Sequence, residues 1–149
     1  MNDHTPDPVT RAEALFLEGF SCSQAVLLAF ASRLGLTEDQ AAAAASAFGG
    51  GVARNGWTCG ALSGAMIAIG LQAGNRTADD TARKDAAYAR VNELLGRFGE
   101  EHGATQCRSL IGWDLSSPNE RQAAADAGVF KTACPGFVRT AAAFLRETL

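Results

Sequence analysis

Apolar residues recur at three- and four-residue steps along most of the chain, broken by glycines and by Ser, Thr and Asp residues suited to capping, a pattern that predicts helices. After a loosely ordered start, residues 1–8, Thr10 can cap a helix to about Gly19 whose apolar positions are Leu15, Phe16 and Leu17. Ser21-x-x-Gln24 has the form of a capping box and opens a second helix through Val26, Leu27 and Phe30 towards Gly35. Thr37-x-x-Gln40 repeats the device before an alanine block, residues 38–47, that stops at Gly49-Gly50-Gly51. Residues 49–57 then read as a tight loop, in which the glycines and Asn55 offer positive φ. It delivers the chain into Thr58-Cys59 and an uncharged helix ending near Gly74. The longest helix, residues 78–102, aligns Tyr88, Val91, Leu95 and Phe98 and is closed by Gly103. A short helix from Thr105 to Gly112, one opened by Ser117-Pro118, and a last one carrying Phe137, Ala141, Phe144 and Leu145 complete the series. No segment alternates strongly enough to be a strand. The expected fold is all-α: one compact multi-helix domain over residues 9–149, with the glycine- and alanine-rich helix after Cys59 buried at its centre.

Composition narrows the classes. A chain of 149 residues, 47% apolar and 19% charged, fits one globular core rather than a disordered tail. A formal net charge of -3 argues against nucleic acid as a partner, because phosphate binding needs a basic surface. Residues 55–75 carry no charge, but their strongly apolar part, residues 61–71, is about half of the ~20 residues that a membrane span requires. The start carries Asp3, His4 and Asp7 instead of a positive head and an apolar run, so no export signal is visible and a cytoplasmic location is expected.

The chemistry-bearing residues are Cys22, Cys59, Cys107 and Cys134. They are far apart in sequence and form no CxxC, which weakens a zinc-ribbon or ferredoxin reading without removing it, since four helices can each present one thiolate to a shared metal. All four fall in or beside a predicted first helical turn. The partial positive charge there favours a thiolate by about 0.3–1 kcal/mol, up to ~2 where partly buried, drawing a thiol from about 8.5 towards neutrality. Arg54, Arg108 and Lys131 stand near Cys59, Cys107 and Cys134 in sequence; Cys22 has only Glu18 nearby. Cys59 or Cys107 is therefore the expected attacking thiolate, and Cys22 the least acidic thiol and a resolving partner. The plainer alternative is that each cysteine is a small buried hydrophobe.

Other constellations offer less. His4 lies in the loose start, and His102 ends the longest helix, where it answers the carboxyl-end dipole. The triple glycine lacks a preceding strand and a GK[ST], so it is no P-loop; it reads as a tight loop holding the Cys59 helix, with Arg54 the one charge favouring an anion. Glu100-Glu101 and Asp79-Asp80 read as solvated surface.

The run Cys59-Gly60-Ala61-Leu62-Ser63-Gly64, with Cys22 before it and Cys107 and Cys134 after it, resembles the small redox-active proteins labelled C_GCAxxG_C_C. The label writes GCA where this chain has CGA. The glycine loop before the motif, Cys107-Arg108 and Cys134-Pro135 extend the resemblance over nearly the whole chain. It implies redox activity residing in the four cysteines, with Gly60 and Gly64 as helix-packing positions, and no particular substrate. A similar module accompanies some haem or electron-transfer proteins, but this chain has no CxxCH.

Two functions follow as expectations. In the first, helix-end thiolates cycle between dithiol and disulfide, or pass electrons, with a redox partner protein or a small thiol, and need no cofactor. In the second, Cys22, Cys59, Cys107 and Cys134 hold zinc or an iron–sulfur cluster. Oligomerisation is compatible with either.

Overall fold

The computed structural model describes residues 5–149, so Asp3 and His4 of the expected loose start lie outside the described residues. Helix α1 (Pro8–Leu17) is capped by Asp7 rather than Thr10. The Asp7 carboxylate accepts the Thr10 backbone N–H at 3.4 Å, and Pro8 occupies the first turn, where its missing N–H has no helical partner to lose. Helix α2 (Cys22–Ala29) opens in the expected capping box: Ser21 Oγ accepts the Gln24 N–H at 3.3 Å and Gln24 Oε1 accepts the Ser21 N–H at 3.2 Å. A 3₁₀ turn, Ser32–Leu34, and left-handed Gly35 lead to α3 (Glu38–Ala44) and the second box. This helix stops before Ala47, turning at Ala45, whose carbonyl accepts the Ser23 hydroxyl at 2.8 Å.

Helices α4 (Gly60–Ala73) and α5 (Thr81–His102) follow, then α6 (Cys107–Ile111), α7 (Pro118–Asp126), α8 (Val129–Thr132) and α9 (Cys134–Thr148). Among the described residues the only β pairing is an isolated antiparallel bridge between Thr58 and Gln106. No described helix is long and apolar enough to cross a membrane.

Helix α4 is the expected centre. Residues Gly60 through Ala65, with Ala68 and Ile69, are buried, and the helix packs on α2, α5 and α9, while α1 lies across α2 and α9. Its small residues set the approach of α2. A Cβ on Gly64 would lie 2.5 Å from the Ser23 carbonyl oxygen, and one on Gly60 would lie 3.2 Å from the Cys22 Cβ. Around this contact α9 supplies Phe137, Val138, Ala141, Phe144 and Leu145, the stripe expected of it. On α5 the inward stripe is Ala87, Leu94 and Phe98, with Val91 and Leu95 at its margin. Tyr88 is 61% exposed, a correction to the expected face: it lies about 100° round the helix from Ala87, and the Lys84 Nζ sits 5.8 Å from its ring.

Candidate functional site

Every cysteine stands at a helix start, as the capping pattern predicts. Cys22, Cys107 and Cys134 are the first residues of α2, α6 and α9, and Cys59 is the N-cap of α4. Three devices bring these starts together. The glycine contact between α2 and α4 lays Cys22 beside Gly60, next to Cys59. The Thr58–Gln106 bridge ties α4 to α6: the Cys59 N–H donates to the Thr105 carbonyl at 2.9 Å, and the Cys107 N–H donates to the Trp57 carbonyl at 2.6 Å. Side chains alternate across such a pairing, so Cys59 and Cys107 share one face of it. Thr105 thus spends its carbonyl on the bridge, and Gln106, not Thr105, is the N-cap of α6. The start of α9 closes the group, bringing Cys134 near enough to Cys22 for each sulfur to shift the other's ionisation.

The loop between α3 and α4 is a left-handed turn. Gly50, Gly51, Val52, Ala53 and Arg54 run at φ 68°, 73°, 63°, 50° and 69°. Left-handed backbone was expected of the glycines and Asn55; Gly50, Gly51 and Gly56 adopt it and Asn55 does not, while Val52, Ala53 and Arg54 do, each at about 1–2 kcal/mol. Hydrogen bonds hold the turn, from the Ala53 N–H to the Ala47 carbonyl at 3.0 Å and from the Trp57 N–H to the Gly51 carbonyl at 2.9 Å. Gly51 is required twice over: its φ is positive, and a Cβ there would lie 2.5 Å from Trp57 N and 2.7 Å from Cys107 Cβ.

The four cysteines line one cleft of about 540 Å³. Its walls include Phe16, Leu110, Ile111, Phe130 and Phe137, and its charged lining residues are Arg54 and Arg121. Arg54 was singled out in the sequence. Arg121 was not, because nothing in the spacing of α7 shows that it lines the same cleft as the cysteines. All four thiols are free; Cys59, Cys107 and Cys134 are buried, and Cys22 is partly exposed.

Electrostatics reverses part of the expected ranking. Burial pushes the Cys59 thiol up to about 12, against the downward pull of the Ala61 and Leu62 N–H groups, and pushes Cys107 up to about 11, helped by nearby Cys134. The two expected attackers are therefore protonated at neutral pH. Desolvation outweighs the helix-end charge because the latter is only a fraction of a full charge. Cys134 alone moves down, chiefly because Cys22 donates to its sulfur, while burial opposes this. That same hydrogen bond, then burial and the other sulfurs, raises Cys22. Cys22 is thus a weak acid as expected, for a reason the neighbouring sequence does not contain.

A stability consequence follows. Cys59 and Cys107 ionise near 8.5 when unfolded but near 12 and 11 when folded, so the folded state keeps protons the unfolded state releases. Their contribution is fully present below about pH 8.5 and is lost as pH rises towards 11 and 12. Raised Cys22 adds to the loss, whereas lowered Cys134 contributes stability that is already complete at the ordinary thiol value and so does not offset a fall above it. Urea titrations of the reduced protein should show stability falling above about pH 9, by on the order of 1 kcal/mol per pH unit for each such thiol. A flat profile from pH 8 to 10.5 would refute the burial of the thiols.

No group of three or more His, Cys, Asp or Glu side chains among the described residues is gathered closely enough to hold a metal ion, so the cluster reading finds no ready ligand set. His102 lies elsewhere. Its ring packs on Phe98 and Phe137 and its Nε2 meets the Thr140 hydroxyl at 2.8 Å.

A family model described as putative redox-active protein (C_GCAxxG_C_C) matches residues 20–148. No curated protein and no solved structure matches the chain.

Proposed function

The chain belongs to the C_GCAxxG_C_C family of redox-active proteins, and from that premise we propose that it is a thiol–disulfide exchange protein whose working pair is Cys134 and Cys22. The observation that carries this reading is the gathering of four free thiols on one cleft, within which Cys134 is shifted down and Cys22 up. An exchange pair needs that asymmetry: a thiolate to attack and a protonated neighbour to resolve.

The Cys134 thiolate attacks one sulfur of a disulfide R–S–S–R, forming Cys134–S–S–R and expelling RS⁻. Cys22 then gives up its proton and attacks the Cys134 sulfur. The Cys22–Cys134 disulfide forms, and the second R–S leaves as RSH. RS⁻ takes up from solvent the proton that Cys134 released on ionising, so overall the protein dithiol loses two electrons and two protons, and R–S–S–R becomes two RSH. The reverse sequence makes the protein an oxidant. Cys59 and Cys107, kept protonated by burial, act as a reserve dithiol behind the working pair. A cytoplasmic setting, where free thiols persist, suits the reduced form.

Timed alkylation followed by peptide mass spectrometry tests the assignment. At pH 8 Cys134 should be labelled first, with Cys59 and Cys107 reacting about 100-fold or more slowly than an ordinary exposed thiol, in line with their small thiolate fractions. A Cys22–Cys134 disulfide should form as the protein is poised across a physiological redox range. The reading is wrong if Cys59 or Cys107 labels ahead of Cys134, or if no disulfide forms anywhere in that range.

A further inference from the structure

The cysteine cleft has a charge pattern that sulfur chemistry does not explain. Arg54 and Arg121 line it, and no Asp or Glu does, in a chain whose net charge is -3. Elsewhere arginine side chains are engaged: Arg108 pairs with Asp114 at 3.0 Å, Arg139 with Glu13 at 2.7 Å and Arg146 with Asp7 at 2.8 Å, Arg76 and Arg83 donate to backbone carbonyls, and Arg90 donates to Gln72 Oε1 at 2.9 Å. Among the described residues the Arg54 side chain has no ion pair or hydrogen bond, and the Arg121 side chain reaches only the Leu115 carbonyl, at 3.4 Å. Both guanidinium groups are therefore free to meet an anion. Apolar walls around them keep the local dielectric low and extend the reach of the positive field.

The left-handed turn places one of these charges. A Cβ on Gly50 would lie 2.9 Å from Arg54 Cα and 3.0 Å from its Cγ, so the arginine can fold back over the loop only because residue 50 is glycine. Size sets the other limit. Cys59, Cys107 and Cys134 are 4%, 9% and 6% exposed, beyond the reach of a disulfide fixed in a folded protein's surface. A cleft of about 540 Å³ does admit a small molecule of many atoms.

We infer that the cleft takes small acidic disulfides, R–S–S–R with a carboxylate on each R, which Arg54 and Arg121 hold while the S–S bond meets Cys134. This inference rests on the exchange reading above and names its substrate class. Guanidinium suits carboxylate because its donors form a planar fork that can bind both oxygens.

Three disulfides of similar length and different charge test it on the full-length reduced protein: 3,3′-dithiodipropionate, neutral bis(2-hydroxyethyl) disulfide and cationic cystamine. The dianion should oxidise the protein about tenfold faster than the neutral compound, with cystamine slowest. In an Arg54→Gln/Arg121→Gln double variant the dianion-to-neutral ratio should fall to near one, whereas Arg33→Gln, on the 3₁₀ turn, should leave that ratio unchanged. Equal wild-type rates, or cystamine fastest, overturns the substrate class and leaves exchange standing. If none of the three reacts, calorimetry with dithiodipropionate separates the claims. Binding that is lost in the double variant overturns exchange and upholds an acidic ligand; no binding overturns both.

Discussion

Replacing Cys134 by serine should slow oxidation of the protein by small disulfides by about two orders of magnitude or more, because a serine hydroxyl is no nucleophile at neutral pH, Cys59 and Cys107 are raised by burial, and Cys22, even without Cys134, is still raised by its own burial. Cys22→Ser should behave differently. The Cys134 thiolate still attacks, but nothing beside it resolves the product, so the variant should stall after one turnover carrying one R–S group on Cys134. Intact-mass measurement reads that adduct directly. Cys22→Ser also replaces the thiol that stabilises the Cys134 thiolate with a hydroxyl, so the pH profile for the first attack should move as that hydrogen bond changes. A Cys134→Ser protein that exchanges at the wild-type rate would remove Cys134 from the mechanism; a Cys22→Ser protein that accumulates no adduct would remove Cys22.

The second large effect is on the fold that holds the pair. Gly64→Ala should destabilise the protein by about 2–3 kcal/mol, since the new Cβ would sit 2.5 Å from the Ser23 carbonyl oxygen and 3.1 Å from the Ser23 Cα. Both obstacles are backbone and no rotamer relieves them, so α2 must move off α4. That shift also carries Cys22 away from its neighbours, so the variant should lose Cys22–Cys134 disulfide formation along with stability. Gly70→Ala is the control on the same helix. Nothing lies within 4 Å of the added Cβ, and exchanging an exposed helical glycine for alanine should stabilise by about 0.5–1 kcal/mol. Urea midpoints for the two variants should move in opposite directions. If Gly64→Ala melts with the wild type, the close backbone approach of α2 and α4 does not hold in solution.

Much of the fold is legible in the residues themselves. Both capping boxes, Ser21 with Gln24 and Thr37 with Gln40, form as local chemistry dictates. Gly103 and Gly112 end their helices in the left-handed conformation at φ 82° and 74°. The uncharged run of α4 is the buried centre because it is the longest stretch that can be enclosed on nearly all sides without stranding a charge. Departures occur where a local preference met a tertiary demand. Thr105 cannot cap α6 while its carbonyl serves Cys59. Asn55, the side chain best suited to positive φ, is passed over in favour of Val52, Ala53 and Arg54, because the hydrogen bonds from Ala53 to Ala47 and from Trp57 to Gly51 fix the handedness of the whole turn.

Sequence alone determined that four cysteines begin four helices, since helix starts are written in capping side chains, prolines and glycines within a few residues of each sulfur. Which sulfur is acidic was decided only when the chain folded. Helix-end charge acts within one turn and can be read locally, whereas desolvation and the Cys22–Cys134 hydrogen bond depend on groups more than a hundred residues apart. The same holds for Arg121 and the cleft it lines with Arg54. A cavity is the space left between helices, and its lining depends on their packing angles and separations, quantities set by contacts such as Gly64 against Ser23 rather than by any one segment's pattern.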